Sequence, residues 1–256
     1  MNSFLTYKIN AFADSPLKGN PAAVCIIDKW LETEKLQKIA AENFLPETAF
    51  IIKQSDYYEL RWFTPEIEMD LCGHATMASA FVVFNYIEPN LKEVLFKTQS
   101  GDIIVTINNE LLTLNFPSRM PIKAGIPEII LQGIGIKPKE VYKSRDYILV
   151  YENEEIIRQI KPNKLIIDQI NLDPGGIIIT AIGNEVDFVS RFFTPQASIF
   201  EDPVTGSAHC SLIPFWSQRL NKTKMIAKQI SERGGVLYCE DKGTRVLISG
   251  KCCASV

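Results

Sequence analysis

A short motif occurs twice in this chain, and two further pairs of matching segments follow it in the same order. RWFTP, residues 61–65, returns as RFFTP, residues 191–195, displaced by 130 positions. CGHA, beginning at Cys72, aligns with TGSA, beginning at Thr205, and Gly101 of SGDIIVTI aligns with Gly235 of RGGVLYCE, at displacements of 133 and 134. Three ordered matches at nearly constant displacement indicate an internal duplication. The chain is therefore expected to fold as two halves built on one plan, 1–117 and 118–256.

The predicted elements also follow a similar order in the two halves. Segments rich in β-branched and aromatic residues predict strands, and one long apolar stretch in each half predicts an enclosed helix. In the first half the strands are 5–12, 22–27, 49–52, 57–63, 103–108 and 111–116, with the helix at about 73–86. In the second half they are 147–151, 164–168, 176–181, 185–193, 236–239 and 244–249, with a helix from about 206 that Pro214 should kink or shift. The pattern indicates an α+β fold in which each half is a curved, mostly antiparallel sheet wrapped round a central helix.

Composition limits what such a chain can bind. A formal net charge of −3 over 256 residues argues against non-specific attraction to nucleic acid or to anionic membranes. The longest apolar runs are far too short to cross a bilayer, and the first residues do not follow the pattern of a secretory signal. We therefore expect a cytoplasmic protein that binds neither nucleic acid nor membrane.

The cysteines do not indicate a disulfide framework or a metal site. Six are scattered through strand-like and helix-like segments, and no C-x-x-C pair is present. In a chain of this length that pattern is typical of buried, reduced thiols. Ligand spacing and the presence of only two histidines also fit a zinc site poorly. No metal is therefore expected.

The two central helices both begin with small and polar residues. A helix N-terminus offers unpaired N–H groups and a partial positive charge, which suits an anion. Gly73 and Gly206 would let a ligand approach the backbone closely. If the two helix starts face each other across a cleft between the halves, they would form one anion-binding pocket. The alternative is that both glycines only ease tight strand-to-helix turns.

Two carboxylates lie near these helix starts. Glu47 stands between apolar neighbours in LPETAFII, at the entrance to a strand. It is either a solvated turn residue or a partly buried acid suited to proton transfer. Asp202 in EDPVTG is either a turn residue, as is common before proline, or a group that orients a substrate or a histidine. The residues alone leave both choices open.

Four segments carry a resemblance to a known family. FADSPLKGNPAAV, LPETAFI, RWFTPEIEMDLCGHATMASA and EDPVTGSA, in this order, resemble the PhzF-like phenazine-biosynthesis family of isomerases. The resemblance implies a diaminopimelate epimerase-like fold with two similar halves, and isomerisation by proton transfer without a cofactor. It also implies a homodimer.

The resemblance further implies roles for individual residues. Glu47 matches the catalytic acid/base of the family, which would move a proton between carbons of a small carboxylate-bearing metabolite. The residues that match substrate-binding positions are Gly73, His74, Asp202, Gly206 and Ser207. The resemblance does not identify the metabolite.

Two other functions remain open. Racemases and epimerases of this fold use two cysteines, one from each half, as thiolate base and thiol acid. Cys72 occupies the first such position, but the second is Thr205, whose hydroxyl cannot replace a thiol as a proton carrier at neutral pH. Cys210 would lie inside the helix. The remaining alternative is a binding protein that has kept the cleft and lost turnover.

Overall fold

The computed structural model describes residues 4–15, 17–172 and 175–255. The chain packs as two units, the first formed by Met1–Phe116 together with Leu247–Val256, and the second by Pro117–Val246. The division after Phe116 lies next to the boundary expected from the sequence. The last residues differ, because they pack with the first unit and not with the half that precedes them.

The first unit is built on one sheet and a central helix. Its elements in chain order are β1 (Leu5–Ala11), β2 (Asn20–Ile26), α1 (Thr33–Asn43), β3 (Glu47–Lys53), β4 (Tyr58–Phe63), β5 (Glu68–Met69), α2 (Gly73–Val82), β6 (Glu93–Thr98), β7 (Gly101–Asn108) and β8 (Leu111–Pro117). The pairs β1–β2, β3–β4, β6–β7 and β7–β8 are antiparallel, whereas β2–β3 and β4–β6 are parallel. The sheet is therefore mostly antiparallel, as expected.

The second unit repeats this order of pairings. Its elements are β9 (Ile122–Lys123), α3 (Glu128–Ile134), β10 (Glu140–Lys143), β11 (Tyr147–Val150), α4 (Glu154–Gln159), α5 (Lys164–Ile167), β12 (Ile177–Ile182), β13 (Phe188–Phe193), β14 (Glu201–Asp202), α6 (Gly206–Leu220), β15 (Lys224–Gln229) and β16 (Gly235–Asp241). β17 (Arg245–Gly250) begins in this unit, and its residues from Leu247 onward belong to the first. The pairs β10–β11, β12–β13 and β15–β16 are antiparallel, and β11–β12 and β13–β15 are parallel. The expected two-half α+β plan is confirmed.

A final strand explains why the C-terminal segment belongs to the first unit. β18 (Cys252–Ala254) pairs with β1 in antiparallel register, with Ala254 opposite Ile9. Asn10 Nδ2 adds a 2.8 Å hydrogen bond to Ser255 Oγ. In the second unit β9 pairs with β10 in the same antiparallel sense. Backbone pairing therefore decides which unit holds the last residues.

Side chains of the repeated motif also make equivalent contacts. Arg61 binds Glu68 through two hydrogen bonds, Nε to Oε1 at 2.6 Å and Nη2 to Oε2 at 2.7 Å. Arg191 binds Glu201 through the same atoms at 2.7 and 2.9 Å. A bidentate arginine–carboxylate pair fixes geometry as well as charge. In each unit this pair ties the central antiparallel strand to the short strand before the central helix.

The two central helices are buried, as their apolar sequences predict. Every residue of α2 except Phe81 is buried, and a π-helical turn, Val83–Ile87, continues it. α6 continues through Pro214 from Gly206 to Leu220, and the expected kink there stays a prediction. Proline cannot donate to the carbonyl four residues earlier. Here that carbonyl, on Cys210, accepts a 2.9 Å hydrogen bond from the Arg119 N–H, so the acceptor is satisfied from outside the helix.

Some local predictions were wrong. Residues 164–168 were expected to be a strand, but Lys164–Ile167 forms the short helix α5. The Asn163 side chain caps it by accepting from the Ile166 N–H, and Ile167 packs so closely on Gly133 that a Cβ there would lie 2.4 Å from it. The run of three apolar residues, Leu165 to Ile167, is too short for periodicity to separate strand from helix. β6 and β15 were not predicted.

The cysteines are free thiols among the described residues, as expected. Cys25, Cys72, Cys210 and Cys239 are buried, but Cys253 is exposed, which contradicts the expectation of burial for that residue. Within the part of the chain that the structure describes, no helix combines the length and apolar character needed to cross a membrane.

Candidate active site

Glu47 is the first residue of β3, and strands hold β3 on both sides. β2 runs parallel to it with Ala22 opposite Glu47, and β4 runs antiparallel with Phe63 opposite Thr48. Asn43 at the end of α1 donates a 3.1 Å hydrogen bond from Nδ2 to Thr48 Oγ1. The turn that leads into β3 is thereby tied to the strand. The Glu47 side chain starts from a well-supported backbone and keeps 13% exposure.

The segment 18–21, which belongs to one of the family-like motifs, leads directly into the strand beside Glu47. Gly19 has a positive φ of 65°, and a Cβ at this position would lie 2.3 Å from the Ala11 carbonyl oxygen. Only glycine fits such a turn without strain. The turn brings the chain back along β1, so that β2 can carry Ala22 alongside Glu47.

The start of α2 places two further polar side chains beside Glu47. His74 Nε2 lies 3.1 Å from Glu47 Oε2, and His74 Nδ1 lies 3.5 Å from Cys72 Sγ. The first contact is in ion-pair range, but Nε2 forms no aligned hydrogen bond with a described residue. Cys72 and His74 are only 5% and 4% exposed. One imidazole thus lies between a thiol and a carboxylate.

The charges of this cluster follow from burial and proximity. Burial, reinforced by the charge of Glu47, raises the pKa of the Cys72 thiol to about 11. The thiol is therefore protonated at neutral pH. Burial of the imidazole opposes its protonation, but attraction to Cys72 and Glu47 raises the pKa of His74 well above 6.5. Because the thiol is uncharged at neutral pH, the Glu47 carboxylate is the charge that favours a protonated His74.

Side chains from the turn after β6 bind the segment that precedes α2. Gln99 Nε2 donates to the Met69 carbonyl at 2.6 Å, and Ser100 Oγ donates to the Asp70 carbonyl at 2.5 Å. These bonds fix the residues immediately before Cys72. A glutamine and a serine in a turn carry no distinctive pattern, so these two residues were not predicted.

The second unit anchors its central helix in the same way. Gln229 at the end of β15 donates from Nε2 to the Asp202 carbonyl at 2.7 Å, and its Oε1 accepts from the Thr205 N–H at 2.9 Å. Ser231 Oγ donates to the Pro203 carbonyl at 2.8 Å. Gln229 is 1% exposed. Gln229 is the last residue of β15, opposite Gly235, whereas the last residue of β6 is Thr98, opposite Gly101. The two glutamines therefore act alike from different strand positions, which left no signal in the sequence.

Three residues expected to bind substrate lie at this second helix start. Gly206 and Ser207 are the first residues of α6, and Asp202 ends β14 just before it. Asp202 Oδ2 accepts a 2.5 Å hydrogen bond from Thr205 Oγ1. The threonine hydroxyl at the position equivalent to Cys72 is thus engaged by a carboxylate. Each unit therefore presents its own polar helix start, and the two differ in chemistry.

His209 belongs to the core. Its Nδ1 donates to the Thr205 carbonyl at 2.8 Å, and its ring packs on Phe188. Full burial lowers the pKa of His209 to about 4, so the imidazole is neutral at neutral pH. The equivalent residue in the first unit, Thr76, likewise donates to the Cys72 carbonyl at 2.6 Å. These side chains hold the first helical turn.

The duplication leaves the acid in one unit only. Arg61 pairs with Phe50, and its equivalent Arg191 pairs with Ile179. Glu47 lies three residues before Phe50, and Gly176 lies three residues before Ile179. Gly176 is therefore the equivalent of Glu47. A Cβ at Gly176 would lie 2.5 Å from Phe192 Cζ and 2.8 Å from the Phe193 carbonyl oxygen. Packing therefore leaves no room for an acidic side chain there.

Comparison with known proteins agrees with the architecture. The chain is 45% identical over 245 residues to an uncharacterized isomerase of Pseudomonas aeruginosa, covering 96% of this chain and 94% of the relative. A crystal structure of a phenazine biosynthesis protein of the PhzF family from Enterococcus faecalis superposes with a TM-score of 0.93. That structure is 46% identical and covers 99% of this chain and 97% of its own.

A structural neighbour with much lower sequence identity shares the fold. The structure of a probable proline racemase from Agrobacterium radiobacter has a TM-score of 0.63 at 10% identity, covering 99% of this chain and 91% of the racemase chain. It shows the epimerase-like fold alone. The sequence profile of the PhzC-PhzF family, described as phenazine biosynthesis-like protein, matches residues 9–256. With that match and the 45% identical relative, the chain belongs to the PhzC-PhzF family.

Proposed function

We propose that this protein is an isomerase that moves a proton between two carbons of a small carboxylate-bearing metabolite. The observation that carries the proposal is the position of Glu47. It is a partly exposed carboxylate, 3.1 Å from the buried imidazole of His74, in one unit of a duplicated fold. The second unit has Gly176 at the equivalent place, so one acid/base group serves the reaction. The relatives named as isomerases support the same reaction class.

The proposed reaction uses Glu47 twice. Its carboxylate takes a proton from a C–H bond of the substrate, and the electron pair of that bond forms a new double bond within a conjugated anion. Glu47, now a carboxylic acid, then returns the proton to a different carbon, which shifts the double bond and restores the carboxylate. Glu47 supplies both proton transfers and the atoms balance, so we propose a reaction without a cofactor.

Neighbouring groups would stabilise the anion formed between these steps. The N–H groups at the start of α2, at Gly73 and His74, face the developing charge in this proposal, as preorganised donors do in other enzymes. The protonated imidazole of His74 holds the Glu47 carboxylate and balances its charge. We propose that Asp202, Gly206 and Ser207 bind substrate through the start of α6. That the two helix starts serve one substrate stays a prediction.

The chemistry of Cys72 argues against the racemase alternative. A two-thiol racemase needs one thiolate near neutral pH, whereas the pKa of Cys72 is raised to about 11. The equivalent Thr205 hydroxyl already donates to Asp202. One carboxylate that both removes and returns a proton requires neither thiol.

Deuterium exchange tests the proposed reaction. Purified protein is incubated in deuterated water with pooled small carboxylic and amino acids, and mass spectrometry identifies compounds that gain deuterium or change isomer. We expect exchange with the wild type and a loss of about 10²- to 10⁴-fold in Glu47→Gln. Glu68→Gln is the matched control, since Glu68 is also a partly buried, ion-paired carboxylate of the first unit. Normal turnover by folded Glu47→Gln would disprove the assignment.

Two further expectations accompany this function. We propose a cytoplasmic homodimer that takes a small molecule and no nucleic acid or membrane as partner. Light scattering coupled to size-exclusion chromatography measures the mass directly, and a value near that of one 28.8 kDa chain would exclude the dimer.

A further inference from the structure

The cluster at the start of α2 combines three kinds of metal ligand. One ligand atom from each of Glu47, Cys72 and His74 lies within 4.8 Å of the other two. Carboxylate oxygen, thiolate sulfur and imidazole nitrogen are the donors that zinc prefers in proteins. The sequence offered no such set, because Glu47 is far from the other two residues along the chain.

The distances fit a zinc ion with a small adjustment. Zinc binds oxygen and nitrogen at about 2.0–2.2 Å and sulfur at about 2.3 Å in tetrahedral geometry, so its ligand atoms are roughly 3.3–3.7 Å apart. The Glu47–His74 pair is at 3.1 Å and the Cys72–His74 pair at 3.5 Å. An imidazole can offer only one nitrogen to a single ion. Closure of all three ligands on one ion therefore needs side-chain movements on the order of 1 Å.

Burial and hydrogen bonding also favour a cation here. His74 is 4% exposed, and its Nε2 lies 3.1 Å from Glu47 Oε2 but makes no aligned hydrogen bond with a described residue. A buried polar atom without an aligned hydrogen bond costs free energy, which a ligand can recover. The Glu47 carboxylate and a Cys72 thiolate would together neutralise the two charges of zinc. The thiol proton, and the proton that a charged His74 carries on its ligating nitrogen, would be released to solvent when the Zn–S and Zn–N bonds form.

We propose that Glu47, Cys72 and His74 bind one zinc ion, and that bound zinc switches off proton transfer. Three protein ligands leave the fourth tetrahedral position for water or for a small anion. The switch-off rests on the proposed function, because the ion would occupy the Glu47 oxygen that must take the proton. Binding itself does not depend on that function. Zinc is thus an inhibitor of this site and not a participant in the reaction.

The first experiment measures zinc binding without any substrate. Tag-free protein in reducing buffer competes with a chromophoric chelator for zinc. We expect one zinc ion per chain for the wild type and for Cys253→Ser, which removes an exposed thiol. We expect at least a 100-fold weaker affinity in Cys72→Ser and in His74→Gln. Equal affinity in wild type and Cys72→Ser, or a loss only in Cys253→Ser, would overturn the proposal.

A second measurement applies even if the Cys72 and His74 variants do not fold. Cobalt(II) replaces zinc in such sites and reports its ligands. A thiolate-to-cobalt charge-transfer band, together with intense tetrahedral d–d bands, is expected for the wild type and for Cys253→Ser. Their absence from the wild type would exclude a thiolate-containing site.

The final experiment separates zinc binding from its effect on proton transfer. Zinc should abolish the deuterium exchange of the wild type, and a chelator should restore it. Exchange that continues at full zinc occupancy would disprove the switch-off. If the wild type catalyses no exchange, the proposed function fails, while zinc stoichiometry and the cobalt spectrum still decide whether the ion binds.

Discussion

Gly176 holds in the second unit the strand position that Glu47 holds in the first. Gly176 precedes Ile177, which is opposite Phe193, the last phenylalanine of the repeated motif. Glu47 precedes Thr48, which is opposite the equivalent Phe63. The backbone plan is therefore duplicated and the acid is not. A reaction that needs one proton-transfer group, used twice, is consistent with this asymmetry.

Gly176→Ala should be costly, because its Cβ would lie 2.5 Å from Phe192 Cζ and 2.8 Å from the Phe193 carbonyl oxygen. Overpacking of this kind typically costs about 1–3 kcal/mol. Chemical denaturation measures the free energy of unfolding. Gly125→Ala is the matched control, since a Cβ at Gly125 meets no atom within 4 Å. Equal stability of the two variants would contradict the close packing at Gly176.

Gln229→Met should destabilise the second unit. The change keeps the volume and leaves the Thr205 N–H and the Asp202 carbonyl without the partners that they have now. Buried polar groups that lose their partners cost about 1–3 kcal/mol each. We expect a loss of about 2–4 kcal/mol in the free energy of unfolding. Gln132→Met, at an exposed helix position, should change it by less than about 0.5 kcal/mol.

His209 should make stability fall in mild acid. Its pKa is about 4 in the folded protein, against an ordinary value of 6.5. The unfolded chain therefore binds the proton more readily, and stability present above pH 6.5 is lost as the pH falls towards 4. The full effect is about 3 kcal/mol.

His209→Asn is the control for this pH dependence. Asparagine can still donate to the Thr205 carbonyl, but it does not titrate. Unfolding measured between pH 7 and pH 4 should show a smaller slope in this variant, whatever its stability at pH 7. An identical slope in wild type and variant would show that His209 does not cause the acid sensitivity.

Pro214→Ala should give little of the stabilisation usually expected. Removing proline from a helix interior ordinarily gains about 3 kcal/mol. Here the Cys210 carbonyl already accepts from the Arg119 N–H, so the proline leaves no acceptor unsatisfied and a new N–H has less to gain. We expect a change of less than about 1 kcal/mol in the free energy of unfolding. A gain of 2 kcal/mol or more would argue against this account.

Much of the fold could be predicted because its determinants are local or repeated. The repeated motif contains Arg61 and Arg191, whose equivalent ion pairs now explain why that motif was recognisable. The apolar run of α2 also predicted an enclosed helix correctly. The strand prediction for residues 164–168 was wrong because a short apolar run suits a strand or a helix. Only the cap at Asn163 and the contact with Gly133 decide between them.

The sequence by itself determined the two-half plan, the two central helices and the candidate residues Glu47, His74, Asp202 and Ser207. Residue types and their order are sufficient for the plan and the helices, and the resemblance of whole motifs to a known family selected the candidate residues. Only the tertiary structure decided that Cys72 and Glu47 contact opposite sides of one imidazole, and that Gln229 holds the second helix start. Such contacts depend on strand register and on burial. Those properties exist only once residues distant along the chain are packed together.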